Sequence, residues 1–259
     1  MLGAILGDIV GSVHEHTGTK TADFPLFTPL SRFTDDSVLT VAVAHSILAG
    51  VDYKQSLWRF GNLFPQAGYG KTFRSWLRLP VDEAEPCQSF GNGSAMRVAA
   101  IGWAFDTVAS VLMEAEKSAA VTHNHPEGIK GAQSVALAIF RARTGASKAD
   151  IKTEIETRFG YNLSRRIEDI RPGYRFDVTC QGSVPESIIA FLESESVEDA
   201  IRKAVSFGGD ADTMAAIAGS MAEAHYKHIP SAFNSEVKAR LPERLLEVAD
   251  RFCARYLER

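Results

Sequence analysis

Phe207-Gly208-Gly209-Asp210-Ala211-Asp212-Thr213 runs directly into Met214-Ala215-Ala216-Ile217-Ala218-Gly219-Ser220-Met221-Ala222. A glycine pair and two acids thus stand ahead of a run of small apolar residues. The spacing predicts a helix from Met214 to Tyr226, with alanines and Gly219 leaving room for close packing. Asp210 and Asp212 have two readings. Acids at a helix start complete a cap and favour the helix dipole. Alternatively, ionised carboxylates among apolar residues must neutralise or find a cation. Oxygen donors without sulfur or nitrogen suit a hard ion, Mg²⁺ or else Mn²⁺, better than zinc.

A second acidic stretch far upstream weighs on that choice. Thr34-Asp35-Asp36-Ser37 opens Val38 to Ala49, which is apolar nearly all the way round and predicts a central buried helix. One acid suffices to cap a helix. Two adjacent acids behind a threonine hydroxyl supply more oxygen than capping requires and suit metal ligation.

Gly3, Gly7, Gly11 and Glu15 recur every four residues, forming one stripe if the helix runs that far. Each glycine costs about 1 kcal/mol against alanine in an exposed helix interior, so the stripe predicts close packing of another backbone. Asp8 shares the face of Glu15. Glu15 reads either as a charged helix end or as a side chain projecting over whatever packs on the stripe, and His14 and His16 read as solvated.

The rest of the chain adds helices and connections. Residues 17–33 read as an irregular loop, and Gly68-Tyr69-Gly70 as a turn. Ser89-Phe90-Gly91-Asn92-Gly93-Ser94 leads into an expected helix from Ala95 to Phe105; its free N–H groups make either an anion site or an ordinary tight turn. Helices are expected over Thr107 to Ala120 and from Pro126 to about Arg143. His123 and His125 lie two apart, which suits a hydrogen bond to substrate better than shared metal ligation. Residues 144–180, with Arg165, Arg166, Arg171 and Arg175, read as a solvated surface segment. Ser183-Val184-Pro185-Glu186 matches a capping box opening a helix through Leu192, Ser196 caps the next helix, and Leu245, Ala249, Phe252, Cys253 and Tyr256 mark an amphipathic C-terminal helix. No period-2 alternation, βαβ pattern, repeat or composition break appears, so the expected fold is all-α and a single domain over 1–259.

The chain has 259 residues, 45% hydrophobic and 23% charged, with a net charge of −4. That balance gives no global attraction to nucleic acid or to an anionic membrane surface. Cys87, Cys180 and Cys253 have no metal-ligand or disulfide spacing. The apolar start lacks a basic signal-peptide region and is interrupted by Asp8, so a cytoplasmic protein is expected.

Taken together, Gly7-Asp8-Ile9-Val10-Gly11-Ser12 with Glu15, Thr34-Asp35-Asp36-Ser37, Ser89 through Arg97, Thr122-His123 and Gly209-Asp210-Ala211-Asp212-Thr213 resemble the ADP-ribosylglycohydrolase family in order and approximate spacing over nearly the whole chain. The resemblance implies a compact orthogonal helical bundle with a central dinuclear Mg²⁺ cleft that binds ADP-ribose. It implies Thr34, Asp35, Asp36, Asp210, Asp212 and Thr213 as metal ligands, with Asp35 and Asp212 indispensable to hydrolysis. It also implies phosphate contacts from Ser89, Phe90, Gly91, Asn92 and Gly93, with the Phe90 ring free to stack on adenine, a substrate contact from His123, and Gly68, Tyr69 and Gly70 lining the ribose end. Ser37 stands where the family commonly has a second threonine, and keeps the hydroxyl.

The implied reaction is Mg²⁺-dependent release of ADP-ribose from an ADP-ribosylated protein side chain or a smaller conjugate, with Glu15 handling a proton or water, or gating the metals. Two rivals remain at this point. A prenyl-diphosphate enzyme needs a third acid after Asp35-Asp36, where this chain has Ser37-Val38-Leu39. A protein that binds ADP-ribose or a nucleotide without cleaving it would keep the same acids.

Overall fold

The Ala211–Tyr226 helix forms the axis of the molecule and is buried from Ala211 through Ala224. A computed structural model describes residues 1–257. Among the described residues it contains fourteen α-helices and a 3-10 turn at Asn92–Ser94, with no sheet; the single β-bridge joins Gly91 to Thr179. No helix among them is long and apolar enough to cross a membrane.

The glycine stripe explains how the axis is covered. Leu2–Gly11 lies against Ala211–Tyr226 in the most extensive helix pairing of the fold. A Cβ at Gly3, Gly7 or Gly11 would overlap the backbone of Gly219, Ala215 or Ala211 respectively, so only glycine permits this approach. Pro126–Arg143, Cys180–Leu192 and Val197–Val205 pack around the other sides, and Glu243–Tyr256 covers Asp35–Ala49 from outside.

Local chemistry sets the helix starts around the site. Thr34 caps Asp35–Ala49, and Gly50 ends it in the left-handed conformation at φ 66°. Pro126 occupies the first turn of its helix, as expected. Gly208, also left-handed at φ 66°, turns the chain from the end of Val197–Val205 into Asp210.

Several expectations are corrected. The first helix ends at Gly11, and Glu15 stands on the turns that follow, so the stripe delivers it without including it. The expected Ala95–Phe105 helix shrinks to Ala99–Ala104, because Asn92 O accepts both Ala95 N and Met96 N and closes a tight turn first. Residues 144–180 are not merely surface: they carry the helices Lys148–Phe159 and Ile167–Ile170, and Ile151, Ile155 and Ile167 enter the core. The Ser183–Glu186 capping box is absent. That helix starts at Cys180 with Thr179 as cap, Ser183 Oγ donates back to Thr179 O, and Glu186 pairs with Arg165. The helices Tyr53–Leu63, Lys71–Leu77 and Ser231–Arg240 have no counterpart in the sequence reading.

Candidate metal centre and substrate cleft

Two helix starts and one helix interior converge on a single set of carboxylates. Asp8 projects from Leu2–Gly11, Asp35 and Asp36 open Asp35–Ala49, and Asp210 and Asp212 flank the start of Ala211–Tyr226. One oxygen from each of Asp8, Asp36 and Asp212 lies within 4.8 Å of the others, and the same holds for Glu15, Asp210 and Asp212. Asp212 therefore belongs to both groups.

Asp8 was expected only to share a face with Glu15, and it turns out to organise the site. Fully buried, it accepts hydrogen bonds from Thr34 N at 2.9 Å, Thr34 Oγ1 at 2.6 Å, Ser37 N at 3.0 Å and Ser37 Oγ. The bland use of acids at a helix start is thus only part of the picture: the second helix is capped by Thr34 and by an acid from another helix. The sequence held one signal for this, a lone acid inside an otherwise apolar glycine-striped helix.

The remaining oxygens have fewer partners. Asp36 Oδ1 is buried with no hydrogen-bond partner among the described residues. Thr213 Oγ1 donates to Asp36 Oδ2 at 3.3 Å, and Asn92 Nδ2 donates to Asp210 Oδ2 at 2.7 Å. Among the described residues none of Asp8, Asp35, Asp36, Asp210 or Asp212 forms an ion pair.

Electrostatics follow from that absence. Burial, then the neighbouring Asp212 charge, pushes the Asp8 carboxyl up to about 7. The same two causes in the same order hold Asp35, Asp36 and Asp210 well above the usual carboxylate range. Half-buried Glu15 is raised by burial and by Asp212. Crowded, desolvated carboxylates with an orphaned oxygen and no basic partner are the donor set of a hard divalent cation. The residues present fit such an ion.

The acids line a cleft of about 340 Å³, within the range of small-molecule sites, roughly 300–1,000 Å³. Glu15, Asp35, Asp36, Asp210, Asp212 and Thr213 line it, as do Gly68, which stands beside Asp35, and Gly70; Thr34 does not line the cavity, and its hydroxyl donates to Asp8. Ser89, Gly91, Asn92, Gly93, Arg97, Thr122 and His123 line the same cleft, and Asn92 joins the two sets through its bond to Asp210.

Not every expected contact reaches the cleft. Tyr69 is buried against Phe73 with ring centroids 5.3 Å apart, so of its loop only Gly68 and Gly70 line the cavity. Phe90 points outward, 44% exposed and edge-on to His125. The expected row of free N–H groups is also partly spent: Gly91 N donates to Ser89 Oγ, and Asn92 N to Val178 O. Asn92 instead reaches the acids through its side chain. In the sequence Arg97 and Thr122 stand out only as members of their motifs, yet Arg97 is a fully buried cation at the cleft wall.

An all-α bundle with clustered carboxylates in a ligand-sized cleft defines a candidate metal-dependent enzyme. Sequence comparison gives the class a narrower form. The profile of the ADP-ribosylglycohydrolase family matches residues 1–259, and the chain belongs to that family. ADP-ribosylhydrolase ARH3 of Mus musculus is 28% identical over 304 aligned positions, covering 87% of this chain and 82% of that protein. ADP-ribosylarginine hydrolase Tri1 of Pseudomonas putida is 23% identical, covering 87% and 69%. A solved structure described as an ADP-ribosylglycohydrolase-related protein complex shares the fold with a TM-score of 0.67 at 24% identity, covering 92% of this chain and 94% of that one. Family membership supports an ADP-ribosylhydrolase activity of glycosidase type and displaces the prenyl-diphosphate alternative.

Proposed function

We propose that the protein hydrolyses the glycosidic bond between ADP-ribose and an acceptor, holding two Mg²⁺ ions, or Mn²⁺, with Asp8, Thr34, Asp35, Asp36, Asp210, Asp212 and Thr213. One observation carries the reading: a single cleft is lined both by carboxylates with no basic partner among the described residues and by Arg97, His123 and a glycine-rich turn. ADP-ribose has the matching polarity, neutral hydroxyls on the reacting ribose and an anionic diphosphate further along.

Divalent cations bound there supply Lewis acidity toward ribose oxygens and water. The protein's own groups do the rest. Asp8 fixes Thr34 and Ser37, and Asn92 fixes Asp210, so the oxygen donors are set before substrate arrives. Leu39, Phe73 and Met96 give the cleft apolar wall beside the oxygen donors. Cleavage of the anomeric bond passes through an oxocarbenium-like state. Glu15, held above its ordinary range at the cleft mouth, takes the proton of the attacking water as the new C–O bond forms and returns it to the leaving nitrogen or oxygen as the old bond breaks.

The acceptor separates the relatives: one is named for ADP-ribosylarginine. A panel of arginine-, serine- and acetyl-linked ADP-ribose substrates, read as free ADP-ribose with Mg²⁺ and with EDTA, tests the reading. Release from at least one linkage, lost in EDTA, is the expected result. Tight ADP-ribose binding with no release from any linkage would make the protein a binder, and full release in EDTA would remove the metals.

A further inference from the structure

The cleft wall contains a cation with no carboxylate partner among the described residues. Arg97 is fully buried, and its Nε and Nη1 have no hydrogen-bond partner among the described residues. Its Nη2 donates to Ser118 O at 2.7 Å and to Thr122 Oγ1 at 3.0 Å. Thr122 Oγ1 lies 2.6 Å from His123 Nδ1. The far edge of the imidazole faces the glycine-rich turn: a Cβ on Gly93 would sit 3.2 Å from His123 Nε2, and one on Gly91 3.6 Å from it.

Proton accounting along this chain has one satisfactory solution. Guanidinium only donates, so Thr122 Oγ1 must accept from Arg97. The Thr122 hydroxyl proton then needs an acceptor, and a buried donor without one costs about 1–3 kcal/mol. His123 Nδ1 is the partner in place. An unprotonated Nδ1 puts the imidazole proton on Nε2, toward Gly91 and Gly93, where Nε2 has no protein partner among the described residues.

We infer that Arg97, acting through Thr122, is a positioning residue that fixes His123 as a neutral Nε2–H donor facing the Gly91–Gly93 turn, where the family resemblance places a phosphate of the substrate. The phosphate part rests on the proposed ADP-ribose function; the tautomer does not. Burial and the Arg97 charge lower the His123 pKa to about 3, which agrees with a ring that stays neutral. The glycines suit the role, because a side chain at position 93 would crowd the donating nitrogen.

Two-bond ¹H–¹⁵N correlation spectra of the intact ¹⁵N-labelled protein read the tautomer directly, with His123→Asn identifying the resonance. The expected result is an Nε2-protonated, Nδ1-bare ring in the native protein and in Thr122→Ser. In Thr122→Val the ring should become a mixture of tautomers, with ADP-ribose affinity weakened about ten-fold, the scale of one hydrogen bond to a charged group. An Nδ1-protonated native ring overturns the inference whatever the variants do, and so does a Thr122→Val ring with native tautomer. Failure of the native protein to bind ADP-ribose would remove the proposed function while the tautomer reading stands or falls independently.

Discussion

Asp8 Oδ1 accepts the Thr34 hydroxyl proton at 2.6 Å, across 26 positions of sequence. That bond joins the glycine-striped helix to the start of the acidic one. It makes the oxygen cage a tertiary object, since Asp8 also receives Thr34 N, Ser37 N and Ser37 Oγ. Asp8→Ala removes the acceptor of Thr34 N, Ser37 N and Ser37 Oγ in a dry interior, at about 1–3 kcal/mol for each donor left without a partner, while the Thr34 hydroxyl keeps the longer contacts to Asp36 and Asp212. Urea unfolding in EDTA at pH 5, where the carboxyl is largely protonated and little charge repulsion is relieved, should show a loss of at least about 2 kcal/mol. No loss would reduce Asp8 to a bystander.

The raised carboxyl of Asp8 sets a pH dependence for the metal-free protein. Its folded pKa of about 7 lies above the ordinary value of 3.8, so the folded state binds more protons than the unfolded one between those limits. Stability must therefore fall as pH rises from about 4 to about 7, and Asp35, Asp36 and Asp210, raised in the same direction, add to the fall. Thermal melts in EDTA across this window should show Tm decreasing. Saturating Mg²⁺ should flatten or reverse the slope, because binding to the folded state alone stabilises it.

Asp212 stands in both oxygen groups and contributes to raising the other four aspartates. Asp212→Asn should accordingly raise Tm in EDTA at pH 8, by roughly 2–4 °C if 1 kcal/mol of repulsion is relieved in a chain of this size. The same substitution should abolish the Mg²⁺-induced rise in Tm and the hydrolysis. A variant less stable than the native protein in EDTA would mean that Asp212 is held by something other than metal.

Glu15→Gln keeps the size of the side chain and removes its ability to carry a proton between water and leaving group. ADP-ribose affinity, read by calorimetry, should change less than three-fold. Turnover should fall at least about 100-fold, the lower end of general acid–base contributions. Turnover equal to the native enzyme's takes Glu15 out of the reaction.

Gly7→Ala drives a methyl group into the backbone of Ala215 and should cost about 3 kcal/mol or more, since neither helix can yield without moving the acids at its ends. Gly173→Ala is the control. Nothing lies within 4 Å of its Cβ position, and its effect should stay within about 0.5 kcal/mol. Equal effects at the two positions would show that the helix pairing is loose.

The sequence was most legible where chemistry and local structure coincide. Thr34-Asp35-Asp36 and Asp210-Ala211-Asp212 sit at helix starts in the structure, and the glycine stripe does bring two backbones together. It was least legible in 144–180, where isoleucines four apart in a polar segment, Ile151 and Ile155, mark a helix face that composition alone conceals. Ser89 to Gly93 was legible as a turn but not in its wiring, because the partners of Gly91 N and Asn92 N are a local serine and the distant Val178.

By itself the sequence determined that the chain is helical, that acids stand at two helix starts, and that a bare glycine face must meet another backbone, because helix propensity, capping and steric bulk are properties of neighbouring residues. Only the tertiary structure decided that Asp8 completes the cage, that Asp212 belongs to both groups, that Tyr69 and Phe90 turn away from the cleft, and that Arg97 reaches His123 through Thr122. Those outcomes depend on which side chains share a desolvated space. Hydrogen-bond partners and pKa shifts arise from distance and burial, which no spacing along the chain fixes.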